Sequence, residues 1–373
     1  MNDARLQELE REMRRRERTA ARLRRKRRRR AMRASSAGTL AVLLAVFAVV
    51  KGLPALGLDG GSGTTSGAHS KATASGHGAN DGAPEPPRPT RSPTGLPLGR
   101  PPLHLDLGGE DEQVQAPFHH PPRAGLLFDL STGRVLWRRN PLTRLPIASL
   151  TKMMTALLVV RSQSAGVQVP ISKRAVDAQG SKVGLLPLHK HVRLETLLYG
   201  LLLPSGNDAA VALAEDVAGS VPDFVGRMNT EAAKLGLACT RFASPDGLQD
   251  ANSSCAADLA ELASVDLAQP RIARATRSAS AVLPFPIKGG KLYLYNNNPL
   301  LRYGYPGATG LKTGETEAAG LCLVGTAERG GVRLGVVLLH SPELGRQAEF
   351  LLDRGFQAYG LQAVQAPPVP PGR

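Results

Sequence analysis

Ser149 and Lys152 stand three positions apart in Ser149-Leu150-Thr151-Lys152, at the start of a predicted helix over Ser149 to Val160 and just after Pro146-Ile147-Ala148. Positions i and i+3 share a helix face, so the lysine amine can lie beside the serine hydroxyl. A serine hydroxyl is a poor nucleophile until a base removes its proton. Lysine serves as that base only when neutral, and burial near other positive charge lowers its pKa in the required direction. The helix N-terminus adds positive potential that favours a developing oxyanion. Of eleven lysines only Lys152 has a serine three positions earlier. A chain of this length also produces such a pair by accident, so alone it is weak.

Two further short motifs carry polar chemistry. Ser205-Gly206-Asn207 falls between a helix predicted to end near Leu203 and one predicted to begin near Asp208. The plain reading is a turn with an Asn or Asp helix cap. The chemical reading has Ser205 relaying a proton to a leaving amine while the Asn207 amide holds a substrate carbonyl or amide. Lys312-Thr313-Gly314 is expected just before the first strand of a C-terminal hairpin. There Gly314 leaves room for a substrate along a strand edge. The Lys312 charge and Thr313 hydroxyl suit a carboxylate, although the tripeptide is also an ordinary turn.

The set decides more than its members. All three motifs occur once and in order, with 56 residues from Ser149 to Ser205 and 163 from Ser149 to Lys312. The set resembles the serine penicillin-recognising enzymes. Within them the chain is similar to the low-molecular-mass D-alanyl-D-alanine carboxypeptidases, peptidase family S11. The likeness extends from about Arg123 to Tyr359, through PIASLTKMMTA from Pro146, SGNDAA from Ser205, FVGRMN from Phe224, SPDGL from Ser244, YNNNPLL from Tyr295 and GLKTGETEAAG from Gly310.

By this resemblance Ser149 attacks the carbonyl between two D-alanines with Lys152 as base, an acyl-enzyme forms, and water releases the shortened peptide. The catalytic residues would be Ser149, Lys152 and Ser205. Asn207, Lys312, Thr313, Gly314, Glu315 and Arg346 would bind substrate: the backbone N–H groups of Ser149 and Glu315 as the oxyanion hole, Lys312 and Thr313 on the terminal carboxylate, Arg346 in support of them. No cofactor or metal is implied. The partners would be a peptidoglycan stem ending in D-Ala-D-Ala, and β-lactams as acylating inhibitors. Asp246 stands where many members have a histidine. Many relatives also continue into a β-rich domain ending in an amphipathic anchor, whereas here the chain stops soon after Phe356, which leads one to expect the anchor at the N-terminus.

The elements that must position these residues follow from pattern. Ala124 to Leu130 and Arg134 to Trp137 flank Ser131-Thr132-Gly133 as a β-hairpin, and Gly320 to Ala327 and Val332 to His340 flank Arg329-Gly330-Gly331 as a second. Glu343 to Arg354 reads as an amphipathic helix. Between the hairpins the patterns are helical, at Ser149 to Val160, Leu194 to Leu203, Asp208 to Val217 and Val221 to Leu235. The expected class is α/β, of the β-lactamase/transpeptidase type: an antiparallel sheet formed by N- and C-terminal hairpins with a mainly helical insertion.

A class A β-lactamase is the nearest rival, and it requires a carboxylate to activate the deacylating water. Gly236 to Ala263 offers Asp246, Asp250 and Asp258 but no Glu-x-x-x-Asn loop, so a penicilloyl-enzyme should be long-lived. A non-catalytic β-lactam-sensing or wall-binding module is the other rival, and the intact motif set argues against it.

Lys and Arg total 47 against 31 acidic residues, a net of +16. This suggests a nucleic-acid binder until its distribution is read. Met1 to Arg33 holds 15 basic and 5 acidic residues, and with aromatics at 4% there are few stacking partners. No nucleic acid is expected. Residues 34–50 then run 17 positions without a charge, a helix that nearly crosses a bilayer core. Flanking arginines hold the N-terminus in the cytoplasm. Residues 1–33 are therefore read as a basic cytoplasmic tail and 34–50 as a transmembrane signal-anchor. Residues 51–122 are read as a disordered Gly/Pro/Ser-rich linker, 123–360 as an extracytoplasmic catalytic domain at the cell membrane, and 361–373 as a disordered tail. Cleavage after Ala55-Leu56-Gly57 stays open, as does a Cys239–Cys255 bond. Cys322 reads as a buried small apolar residue. No Cys-x-x-Cys or His-Glu-x-x-His supplies a zinc ligand set.

Overall fold

A computed structural model of the chain describes residues 89–108 and 113–362. These fall within the unit Asp81–Arg373, and the other unit, Met1–Asn80, lies outside them. The basic tail, the 34–50 segment, the linker through residue 88 and the tail from 363 thus lie outside the described residues.

The two ends of the described chain meet in one five-stranded antiparallel sheet. Its strands are β1 (Ala124–Asp129), β2 (Val135–Arg139), β3 (Ala308–Thr316), β4 (Gly320–Arg329) and β5 (Val332–Leu339), in the order β2-β1-β5-β4-β3. Ala124 pairs with Leu339 and Asp129 with Leu334, so the N- and C-terminal hairpins join side by side as expected. The first turn is held by the Asp129 carboxylate, which accepts from Ser131 N at 2.7 Å and Thr132 N at 3.1 Å. Successive strand residues face opposite sides, and both sides are covered. Leu126, Phe128, Val337 and Leu339 enter the core shared with the helices, while Leu127, Val336 and Leu338 enter a second core. This explains why these strands read as unbroken apolar runs.

The insertion packs α2 (Leu194–Leu202), α3 (Asn207–Ala218), α4 (Val221–Lys234) and α5 (Ala256–Leu267) around α1 (Lys152–Ser162). Helix α1 buries Met153, Met154, Ala156, Leu157 and Val159, so it is enclosed rather than amphipathic. Helix α6 (Leu344–Ala358) covers the other sheet face with Leu344, Ala348, Leu351, Leu352 and Phe356.

The structure departs from sequence expectation in three places. Residues 89–108 and 113–122, expected in the disordered linker, form a strap against the domain. Val114 is 2% exposed and its N–H donates to Leu136 O. The Glu261 carboxylate accepts from Leu103 N and Leu105 N, and Gly99 N donates to Ala233 O. Leu103, Leu105 and Leu107 pack on the main core. Their alternation with His104 and Asp106 is a strand-like pattern that the surrounding Pro and Gly obscured. Lys312-Thr313-Gly314, placed just before a strand, lies within edge strand β3, which pairs with Gly320 to Ala327 of β4. Helix α5, the short helix Pro270–Thr276 and the hairpin Ser280–Pro284 with Lys291–Tyr295 were not anticipated. The bond left open between Cys239 and Cys255 is present, with Cα atoms 5.6 Å apart, and Cys322 is free and buried as expected.

Candidate active site

Ser149 sits in a single 3₁₀ turn, Ala148–Thr151, that leads directly into α1. Ala148 is left-handed, with φ +47°. The turn is pressed between β3 and the loop around Asp246: a Cβ on Gly314 would lie 3.0 Å from Ser149 N, and one on Gly247 only 1.9 Å from Ala148 O. Gly247, at φ +82°, needs its hydrogen both for its conformation and for this approach.

Lys152 is the first residue of α1 and is fully buried. Its Nζ donates to Ser149 Oγ at 2.8 Å, Asn207 Oδ1 at 2.7 Å and the Asp246 main-chain oxygen at 2.5 Å. Removal from water lowers its pKa to about 7, against the smaller opposing effects of the Asp246 and Asp208 charges. The Lys152 amine thus lies beside the Ser149 hydroxyl, as their spacing in sequence predicts.

Asp246 contributes mainly through its backbone. Its carboxylate accepts from Ser244 Oγ at 2.6 Å and Leu248 N at 2.9 Å, which shapes the turn. Asn252 braces the same turn by accepting from Ala243 N and Ser244 N and donating to Ser244 Oγ. The Asp246 carbonyl is left facing Lys152, and Ser149 Oγ lies 3.4 Å from it. Sequence reasoning missed this carbonyl because a main-chain group has no residue signature. The signal it could have used is Gly247, the one residue type that tolerates both the turn and the contact.

The second motif opens α3. Asn207 gives its Oδ1 to Lys152, and its Nδ2 donates to Gln179 O at 2.5 Å. Its amide is therefore first a brace for the Lys152 amine, with one N–H remaining. Asp208 accepts from Val183 N, Gly184 N and Ala209 N, which pins the 181–184 segment to the same helix end. Ser205 has φ +67°, and its buried hydroxyl has no hydrogen-bond partner among the described residues. Asn297, from the Tyr295 to Leu301 segment, donates to Leu203 O and Pro204 O and so holds the Ser205 loop in place.

Lys312 is 1% exposed on β3, donates to Thr313 O at 2.8 Å and has no carboxylate partner among the described residues. Burial, then the neighbouring charge of Lys152, holds its pKa well below the ordinary lysine value. Lys312 and Gly314 pair with Val324 and Cys322, whose side chains enter the core shared with the helices. Thr313 is partly buried and Glu315, opposite Leu321, is exposed. Arg346 is exposed on α6, and no hydrogen bond or ion pair joins it to Lys312 or Thr313. Its charge acts on Glu349, whose carboxyl is nonetheless pushed up to about 7 by burial and then by Asp353.

The ensemble is a serine hydroxyl against the buried Lys152 amine, beside a second buried lysine, Lys312, that has no carboxylate partner among the described residues. Residues 111–343 match the family model of the D-alanyl-D-alanine carboxypeptidases, peptidase S11. The chain belongs to this family. Family relatives include D-alanyl-D-alanine carboxypeptidase DacF of Bacillus subtilis, 34% identical over 67% of this chain and 66% of that protein. DacB2 of Mycobacterium tuberculosis is 35% identical over 63% of this chain and 82% of that protein. The chain therefore spans just under two thirds of the first relative's length and more of the second's. Solved family structures share the fold. The D-alanyl-D-alanine carboxypeptidase from Mycobacterium tuberculosis H37Rv superposes with a TM-score of 0.62 at 33% identity, over 68% of this chain and 97% of that one. The Streptomyces K15 DD-transpeptidase does so with a TM-score of 0.61 at 32% identity, over 65% and 100%. The architecture is thus the α/β transpeptidase type expected from the sequence.

Proposed function

We propose that the chain is a serine-type D-alanyl-D-alanine carboxypeptidase that trims peptidoglycan stem peptides and is acylated by β-lactams. The observation that carries the reading is Lys152 Nζ, buried and 2.8 Å from Ser149 Oγ. In the proposed reaction Lys152 takes the hydroxyl proton as Ser149 Oγ attacks the carbonyl between the two D-alanines. The oxyanion is received by the backbone N–H groups of Ser149 and Glu315. Lys312 and Thr313 hold the terminal carboxylate, and the unpartnered burial of Lys312 is what a site for a substrate anion requires. Arg346 supports that contact from α6 once substrate is bound. Ser205 passes the proton to the departing D-alanine, and water then releases the acyl group.

The carboxylates expected of a class A β-lactamase do not serve here. Asp246 is bound to Ser244 and Leu248, Asp258 to Cys239 N and Thr240, and Asp250 is exposed. The proposed setting is extracytoplasmic, with residues 34–50 as the anchor. Their uncharged run and basic flank support this. Among the described residues no helix is long and apolar enough to cross a membrane, and 34–50 lies outside them.

The test is incubation of the full chain with a pentapeptide ending in D-Ala-D-Ala. Free D-alanine should appear, and Ser149→Ala should reduce it to background. No release from the unmodified chain would overturn the proposal.

A further inference from the structure

Two strands outside the main sheet, Ser280–Pro284 and Lys291–Tyr295, pair in the register Ser280 with Tyr295, Val282 with Tyr293 and Pro284 with Lys291. Successive residues of a strand face opposite sides, so these six share one face of the hairpin. The other face, Ala281, Leu283, Leu292 and Leu294, packs on the core shared with the helices. The first face is turned outward. Val282, Tyr293 and Tyr295 are 54%, 61% and 64% exposed, with Ser280, Pro284 and Lys291 exposed beside them. An antiparallel sheet with one wet side ordinarily places polar residues there. Here two tyrosines and a valine stand side by side instead, and a contiguous apolar patch of this kind marks an interaction surface.

Charge identifies what fits this face. Between Asp266 and Glu315 the chain has no Asp or Glu and seven Lys or Arg. Lys312 belongs to the catalytic cleft, and Arg271 is paired with Glu195 at 2.8 Å. The remaining five, Arg274, Arg277, Lys288, Lys291 and Arg302, are exposed and form no ion pair among the described residues. Lys291 shares the outward face with Tyr293, and Lys288 lies in the turn that closes the hairpin. Arg277 lies at the opposite end, where Asn296 Nδ2 donates to Thr276 O and Ser278 O. The patch is thus apolar in its middle and basic at both ends. It is also held firmly: Phe285 N donates to Gly290 O across the turn, and Thr196 Oγ1 of α2 donates to Pro284 O at 3.1 Å. A free anion has no use for the tyrosines, and a neutral apolar partner has none for the lysines. An anionic bilayer uses both, because tyrosine rings settle at the headgroup level and basic side chains are drawn to acidic headgroups.

Resting on the proposed extracytoplasmic setting, we infer that the outward face of this hairpin docks on the surface of an anionic lipid bilayer, a contact separate from the 34–50 anchor. The 38 residues from 51 to 88 reach at most about 130 Å. An anchor alone therefore does not select which face the catalytic domain turns to the bilayer, whereas a docked hairpin does. The hairpin is also tied to the site. Asn297, two residues beyond Tyr295, donates to Leu203 O and Pro204 O beside Ser205, so docking would hold the cleft at a fixed height and tilt above the membrane.

The experiment reconstitutes the full chain in vesicles with brominated acyl chains, made of phosphatidylcholine alone or with added phosphatidylglycerol, and reads the fluorescence of Tyr293→Trp. The chain's one tryptophan, Trp137, is 6% exposed and supplies a constant background. Leu142→Trp, at an exposed position outside the hairpin, is the reference. Tyr293→Trp should be quenched and shifted to the blue on the anionic vesicles, far less on the neutral ones, and high salt should remove the difference. Tyr295→Trp should report the same. Lys288→Gln/Lys291→Gln should lower the ratio of docked to undocked hairpin about 25-fold, at about fivefold for each basic side chain beside an anionic surface. D-alanine release from a soluble pentapeptide should be unchanged in that variant. Equal quenching on both vesicle types, equal quenching of Leu142→Trp, or quenching that survives the lysine variant overturns the inference. Protection of Tyr293→Trp by purified peptidoglycan with none by vesicles also overturns it. Flotation of the chain with neutral vesicles tests the 34–50 anchor and D-alanine release tests the activity, so failure of either parent reading is distinguishable from failure of docking.

Discussion

Lys152 titrates at about 7 because burial penalises its charged form more than Asp246 and Asp208 favour it. Only the neutral amine can accept the Ser149 proton, so acylation should rise about tenfold per pH unit up to about 7 and then level. The pH dependence of the acylation rate with a chromogenic β-lactam measures this, and a flat profile between about pH 5 and 8 would exclude Lys152 as base. The same burial has a stability cost. Between about 7 and 10.5 the unfolded chain holds the Lys152 proton and the folded one does not, so this group makes stability rise with pH across that window. Gly247 is the second sensitive position. Gly247→Ala places a methyl group against Ala148 O and strains a left-handed residue. It should lower acylation by at least about a hundredfold, as does a small displacement of a reacting group, with reduced thermal stability read by calorimetry.

Two elements outside the motifs hold the site in register. The disulfide at Cys255 immediately precedes α5 and follows Ser253–Ser254, which pairs with Leu145–Pro146 just before the nucleophile turn. It closes a loop of 16 residues, for which chain-entropy arguments give about 3 kcal/mol. Cys255→Ala should lower Tm by several degrees under non-reducing conditions, with the reduced unmodified chain matching it. The strap from residue 89 is the other element. It buries its own Val114 against the domain and engages Glu261 and Leu136. A chain beginning at 123 should melt well below one beginning at 89, by more than about 5 °C at 2–4 °C per kcal/mol. Equal melting temperatures would show the strap to be dispensable.

At the scale of the whole molecule, charge separates the chain into two parts. Met1 to Arg33 carries +10, while Ala124 to the end has 26 basic and 19 acidic residues, or +7. Part of that +7 belongs to Lys312 in the cleft and to Lys288 and Lys291 on the hairpin. The N-terminal excess is expected to fix topology. A reporter fused after Val50 should be membrane-bound and active only in an extracytoplasmic format, and a soluble cytoplasmic fusion would refute the anchor.

Sequence alone singled out the side chains proposed for the chemistry and the two terminal hairpins that share the sheet. Ser149, Lys152, Ser205 and Lys312 are set by residue type and spacing, and strands enclosed on both faces announce themselves as apolar runs. What only the tertiary structure decided are contacts made by main-chain atoms or by residues distant in sequence: the Asp246 carbonyl on Lys152, the Asn207 amide turned toward the base, the strap beneath its Pro and Gly, and the Cys239–Cys255 bond. Such contacts depend on where the fold carries a backbone, and a backbone carbonyl is the same in every residue.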